Sequence, residues 1–213
     1  MPESQQKAID MTQESYRLSS YDYLLPEEQI AQHPVAERDQ SRLLVLDCVS
    51  RTRRHARFKA LYELVRPGDL VVVNNTKVFP ARLFGQKESG GKVEMLLLHF
   101  PVQMERKGER CSARAQALIK SSRRPQPGSM LSFSDALEAR VESLFPDGKA
   151  EVRLRYPAHV DLEQLLEQQG EIPLPPYIKR PEGSTSEDTQ RYQTDYARHT
   201  GSVAAPTAGL HFS

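Results

Sequence analysis

Residues 92–119 read KVEMLLLHFPVQMERKGERCSARAQALI. KVEMLLLHF (92–100) and CSARAQALI (111–119) alternate or run apolar at strand length. The same texture extends to both sides. DLVVVNN (69–75) and VFPARLFG (78–85) precede it, and MLSF (130–133), ARVESLF (139–145) and KAEVRLRY (149–156) follow, punctuated by Gly68, Gly85, Gly90-Gly91, Pro127-Gly128 and Gly148. About seven short strands in so few residues predict a small antiparallel barrel or sandwich, placed at residues 61–156.

The flanks differ in texture. Residues 1–19 are polar and aperiodic and predict a disordered tail. In LLPEEQIAQHP (24–34), Pro26 suits a first helical turn, Glu27 and Glu28 complement its positive end, and Pro34 stops it after about two turns, with His33 a capping or surface group. LLVLD (43–47) predicts a short strand whose entry carries Arg38, Ser41 and Arg42. Those guanidiniums either fork onto a phosphate or carboxylate or pair with Glu37 and Asp39. CVSRTRRHARF (48–58) reads as a basic turn and FKALYELV (58–65) as a short amphipathic helix closed by Pro67-Gly68. VDLEQLLEQQ (160–169) predicts a helix with Leu162, Leu165 and Leu166 on one face and Gly170 as terminator. The resulting expectation is a mixed α/β fold with an inserted antiparallel β-barrel-like domain: residues 20–60 and 157–213 form one discontinuous domain around 61–156.

The 213 residues carry a net charge of +1, but its distribution is uneven. Residues 51–124 hold 17 Lys+Arg against 6 Asp+Glu; the remainder holds 12 against 22. A basic region concentrates polyanions, RNA foremost, although a solvated basic face has the same composition. Cys48 and Cys111 stand apart without zinc spacing, as buried reduced thiols would, and no metal is expected. No secretory signal and no run of 18 apolar residues appears, so the expectation is a soluble cytoplasmic protein without membrane contact.

Residues 172–181, IPLPPYIKRP, hold four prolines, which excludes a long helix or central strand and leaves a rigid extended ledge. Tyr177, Lys179, Arg180, Arg191, Tyr192, Gln193, Tyr196 and His211 lie on or beyond it. A ligand-holding loop and a proline-rich connector both fit. Asn74 and Asn75 at a strand end suit a base edge or ribose hydroxyl, or simply a turn. Ser89-Gly90-Gly91-Lys92 lacks the full P-loop pattern, and Glu94 shares a strand face with Lys92. Pro206-Thr207-Ala208-Gly209-Leu210 is compact enough for a planar ligand, and His211 brings an imidazole suited to acid/base work or to a structural bond. Tyr177, Tyr192 and Tyr196 suit stacking or packing.

PLPPYIKRP, RYQTDYA and GSVAAPTAGLHF resemble signature segments of the S-adenosylmethionine:tRNA ribosyltransferase-isomerase family of the queuosine pathway. YDYLLPEEQIAQHPVAERDQSRLLVLD, RPGDLVVVNNTKVFPARLFG, SGGKVEMLLL and ALIKSSRRPQPG resemble it in the same order, so the likeness covers nearly all of residues 20–212. The resemblance implies transfer and isomerisation of the ribosyl moiety of S-adenosylmethionine onto 7-aminomethyl-7-deazaguanine in tRNA, giving epoxyqueuosine and releasing adenine and methionine. S-adenosylmethionine is then a cosubstrate, tRNA the partner, and no further cofactor is implied. His211, Glu94 and Lys92 become the catalytic candidates. Asn74, Asn75, Arg82, Tyr177, Arg180, Tyr192, Gln193 and Thr207 become the substrate-binding ones.

Family members continue past GLHF, so the resemblance also implies a further C-terminal portion of the same enzyme as partner. Asp195 stands where the family usually carries an apolar residue, beside the expected anion-binding ledge. The alternative is a truncated, catalytically inactive fragment that at most binds RNA through its β domain. Without the family, the residues describe a β-rich binding module with a proline-rich tail.

Overall fold

The computed structural model describes residues 16–213; residues 1–15 of the expected disordered tail lie outside the described residues. The chain divides into two units, residues 1–32 and 33–213. In the first, Leu18–Tyr21 and Glu27–Gln29 each form a single 3-10 turn. The two-turn helix expected after Pro26 does not form. The seven residues between Pro26 and Pro34 are too few to offset helix nucleation, and the residue before a proline is steered away from helical torsions.

In the second unit, after a 3-10 turn at Arg38–Gln40, the expected strand forms as β1 (Arg42–Asp47) and pairs in a hairpin with β2 (Thr52–Arg57), which lies within the stretch expected as a basic turn. Nearly every β2 side chain is exposed, so no burial alternation marks it in the sequence. Phe58–Glu63 is a 3-10 helix. Residues 69–75 form no strand: Leu70 and Val72 are 87% and 86% exposed, and extended backbone without a ladder partner is not a strand, however β-prone its residues. β3 (Thr76–Val78) follows.

β4 (Arg82–Lys87), β5 (Lys92–Leu97), β6 (Val102–Lys107), β7 (Arg110–Ser121), β8 (Met130–Ser132), β9 (Glu138–Leu144) and β10 (Lys149–Pro157) form one antiparallel sheet. Six of them, in the order β10-β9-β8-β4-β5-β7, close into a barrel because β10 also pairs with β7. β6, absent from the sequence expectation, lies against β7 with all its side chains exposed. Period-two alternation fills the interior: Ala113, Ala115 and Ala117 of β7 and Ala150, Val152 and Leu154 of β10 point inward and are no more than 1% exposed. The four alanines leave room for Leu83, Met95, Leu97 and Leu131. Each such aliphatic side chain contributes about 1.5–3 kcal/mol on burial.

α1 (Leu162–Gln169) starts at Asp161, whose carboxylate accepts from the Gln164 amide, and packs Leu162, Leu165 and Leu166 into the barrel core. Gly170 ends it at a close backbone approach, since a Cβ there would lie 2.3 Å from the Pro80 carbonyl oxygen. β11 (Gly170–Glu171) then pairs with β4.

After the ledge, α2 (Ser186–Arg191) forms behind a Thr185/Asp188 capping box. β12 (His199–Ser202) runs parallel to β3. Val78, Ile172, Tyr192 and Ala205 make a second small core that joins these segments. Cys111 is buried as expected; Cys48, just past the end of β1, is exposed. Among the described residues no helix is long and apolar enough to cross a membrane.

Candidate active site

Two arginines lace the segments around His211 together. Arg38 donates from its guanidinium to the carbonyls of Leu210 (3.0 Å), Gln190 (3.3 Å) and Arg191 (3.4 Å). It also pairs with Asp195 at 3.2 Å. In return Arg191 donates to the carbonyls of Val35 (2.6 Å) and Ala36 (2.7 Å). Arg38 therefore pairs with Asp195 instead of Glu37 or Asp39, and the Asp195 carboxylate neutralises a framework cation.

His211 closes the 3-10 helix Thr207–His211. Its Nδ1 lies 3.1 Å from Ser41 Oγ, while Ser41 Oγ donates to the Arg38 carbonyl at 2.8 Å. With the single hydroxyl proton spent, Ser41 accepts from Nδ1–H, which leaves Nε2 as the basic nitrogen of the neutral ring. Phe58 lies against both His211 (centroids 5.3 Å apart) and Phe212 (5.0 Å), and Tyr196 approaches Phe212 edge-on at 6.4 Å. Gly209 is required beneath them, because a Cβ there would lie 2.2 Å from the Tyr196 hydroxyl. The outcome is a cavity of about 700 Å3 with aromatic and apolar walls from Phe58, Leu61, Tyr62, Val65 and Phe212, and with Asp39, Lys59, Arg66 and His211 as its polar groups.

A second cavity, of about 690 Å3, runs along the ledge, which is neither helix nor strand, and is lined by Arg82, Glu94, Glu171, Lys179, Arg180 and the four prolines. Arg82 Nε meets Glu94 Oε1 at 2.7 Å, and its guanidinium covers the Phe84 ring at 4.9 Å. Arg180 grips Asp188 with two 2.8 Å bonds. That pairing, with further bonds from Thr185, holds the Asp188 carboxyl at about 2, and raises Arg180 in turn.

The remaining sequence candidates are dispersed. Gln193 spends its amide on Val78, accepting from the backbone N–H at 2.9 Å and donating to the carbonyl at 3.0 Å. Tyr192 is 8% exposed within the second core, and burial raises its phenol. Asn74 accepts from the Thr76 amide in a turn, and the Asn75 carbonyl accepts from Arg198 and His199. Lys92, Tyr177 and Thr207 are exposed, and none of the three lines either cavity. Sequence reasoning missed Phe58, Tyr62, Phe212 and the Ser41 hydroxyl as parts of the His211 site. Two aromatics four apart in FKALY were an available signal. Among the described residues no cluster of His, Cys, Asp and Glu is arranged to hold a metal.

The profile of the queuosine biosynthesis protein family matches residues 18–213. The chain belongs to that family. It is 53% identical over 194 residues to an S-adenosylmethionine:tRNA ribosyltransferase-isomerase of Desulfotalea psychrophila, covering 91% of this chain and 53% of that relative. A protein of the same description from Natranaerobius thermophilus is 45% identical over 199 residues, covering 92% and 54%. The crystal structure of an S-adenosylmethionine tRNA ribosyltransferase from Thermotoga maritima is 32% identical, covering 74% of this chain and 52% of that one, with a TM-score of 0.31. This member of the queuosine biosynthesis family thus spans about half the length of the curated relatives it matches.

Proposed function

We propose that this chain carries the donor-handling part of an S-adenosylmethionine:tRNA ribosyltransferase-isomerase, acting on 7-aminomethyl-7-deazaguanine in tRNA with loss of adenine and methionine. The observation that carries the proposal is the His211 cavity. An imidazole whose Nδ1 is committed to Ser41 presents Nε2 as acceptor beside aromatic walls. Phe58, Tyr62 and Phe212 suit an adenine ring and a sulfonium cation, the latter through attraction to ring faces. Lys59 and Arg66 suit the amino-acid carboxylate.

In this proposal the ledge cavity receives the modified base, with Arg82 and Glu94 orienting each other at its wall and Arg180 set by Asp188. Tyr177, Asn74, Asn75 and Thr207 are exposed groups for tRNA contact, Gln193 and Tyr192 support the frame, and Lys92 is assigned no chemical step. The proposal keeps residues 61–156 as an insert within a domain built from 20–60, 157–213 and a further C-terminal portion of the enzyme.

The test is adenine release from S-adenosylmethionine by the 213-residue chain, given tRNA bearing 7-aminomethyl-7-deazaguanine. His211→Asn is expected to slow release by roughly 10²–10⁴-fold. Release by the variant at the wild-type rate refutes the assignment. A second reading, RNA binding without turnover by this chain alone, is favoured by the 17 Lys and Arg against 6 Asp and Glu in residues 51–124. RNA binding with no adenine release by the wild-type chain supports it.

A further inference from the structure

We propose that the outer face of the barrel carries a phosphodiester-binding notch floored by Ser112. Register dictates its position. Ser112 of β7 is flanked by Glu105 of β6 and Arg155 of β10, Arg110 faces Lys107, and Arg114 faces Arg153. Cys111 and Ala113 point into the barrel, so Ser112 stands outward as the one short side chain among long charged ones. The shortfall in length leaves a notch of about 200 Å3 walled by Glu105, Lys107, Arg110, Arg153 and Arg155.

Ser112 lines the notch, and its hydroxyl is buried and has no hydrogen-bond partner among the described residues. A buried hydroxyl left in that state costs about 1–3 kcal/mol, which an oxyanion accepting from it would recover. Lys107, Arg110, Arg153 and Arg155 outnumber the Glu105 carboxylate in the walls, and their further neutralisation is partial. Glu138 is divided between Arg110 (3.4 Å) and Arg155 (3.8 Å), and Glu142 between Arg153 and Arg114 (3.7 Å), which Glu151 also meets at 3.4 Å. Guanidiniums carry five donors each, so several remain for a ligand. Lys107 makes no ion pair with any described residue. A neighbouring depression, whose charged or titratable lining is Arg106, Glu109, Arg110 and His159, shares Arg110 with the notch, and its two guanidiniums against one carboxylate offer a second anion position beside the first. Two adjoining anion positions fit a nucleic-acid backbone better than a lone phosphate. The choice of RNA rests on the proposed tRNA substrate; the notch does not.

The experiment is fluorescence anisotropy of labelled tRNA and of a short single-stranded RNA across a salt series, with inorganic phosphate titrated separately. Ser112→Ala, which changes no charge and removes the unpartnered hydroxyl, is expected to weaken RNA binding severalfold with a melting temperature that is raised or at least not lowered. Lys107→Ala should lower the slope of log affinity against log salt by about 0.7–0.9. Lys120→Ala, on the same strand outside the notch, serves as the matched control and should have the smaller effect. Wild-type affinity and slope in both notch variants would overturn the site and leave the proposed function standing. A wild-type chain that binds no RNA would overturn both. Inorganic phosphate bound by the wild type and lost in Ser112→Ala, with RNA affinity unmoved, would make this a free-anion site and overturn the backbone assignment.

Discussion

Replacing Asp188 by Asn tests whether the Arg180–Asp188 pair is a framework clamp. Asp188 accepts two 2.8 Å bonds from Arg180 and further bonds from the Thr185 amide and hydroxyl, with the two paired side chains only 14% and 7% exposed. Its carboxyl sits at about 2 against an ordinary 3.8. At about 1.36 kcal/mol per pKa unit, the folded state gains about 2 kcal/mol from the ionised form. Because the folded value is the lower one, this gain is complete above about pH 4 and is lost as the pH falls from there through about 2. The amide cannot match Arg180, so Asp188→Asn should cost about 2–3 kcal/mol at pH 7, or roughly 5–10 °C in melting temperature. Urea unfolding followed by circular dichroism at pH 7, 4 and 2.5 measures the gap between wild type and variant. The gap should close towards the acid end. A gap below about 0.5 kcal/mol at pH 7, or one equally wide at pH 2.5, refutes the clamp.

Gln193→Ala should expose the Val78 amide to rapid hydrogen exchange and cost about 1–3 kcal/mol, because both Val78 backbone groups lose the partner they meet at 2.9 and 3.0 Å. Leu166→Ala, at a fully buried contact of α1 with the barrel, should cost about 2–5 kcal/mol by calorimetry or urea titration. Gly209→Ala forces a methyl to within 2.2 Å of the Tyr196 hydroxyl. It should lower stability by about 1–3 kcal/mol and weaken S-adenosylmethionine binding as the His211 helix shifts.

The barrel was legible because its strands alternate: Ala113, Ala115 and Ala117 against Ser112, Arg114 and Gln116 is a period-two signal that local sequence carries. α1 was legible for the same reason at helical period, with Gly170 as its stop. The misses share a cause. β2 and β6 bury almost nothing, so no apolar pattern marks them, and their pairing is decided by the neighbours β1 and β7. Residues 69–75 err the other way, since an apolar run reports only a tendency to be covered, and Leu70 and Val72 stay 87% and 86% exposed. α2 was readable in hindsight from Thr185 and Asp188 at capping-box spacing. In the candidate site, His211 was found as the imidazole on a compact loop, whereas Ser41, 170 positions away, becomes its partner only through the Arg38–Arg191 cross-clamp. No local pattern encodes such a contact. Gln193 illustrates the opposite hazard: a polar amide in a motif-rich loop is consumed by the backbone of β3.

The most direct measurement is calorimetric titration of S-adenosylmethionine into the wild-type chain and into Tyr62→Ala. Tyr62 walls the His211 cavity yet is 75% exposed, so its removal leaves the fold intact. Saturable one-to-one binding by the wild type, weakened by an amount equivalent to about 1–3 kcal/mol in the variant, is the predicted result. Equal affinity in both proteins, with binding abolished instead by Arg82→Ala in the ledge cavity, would contradict it.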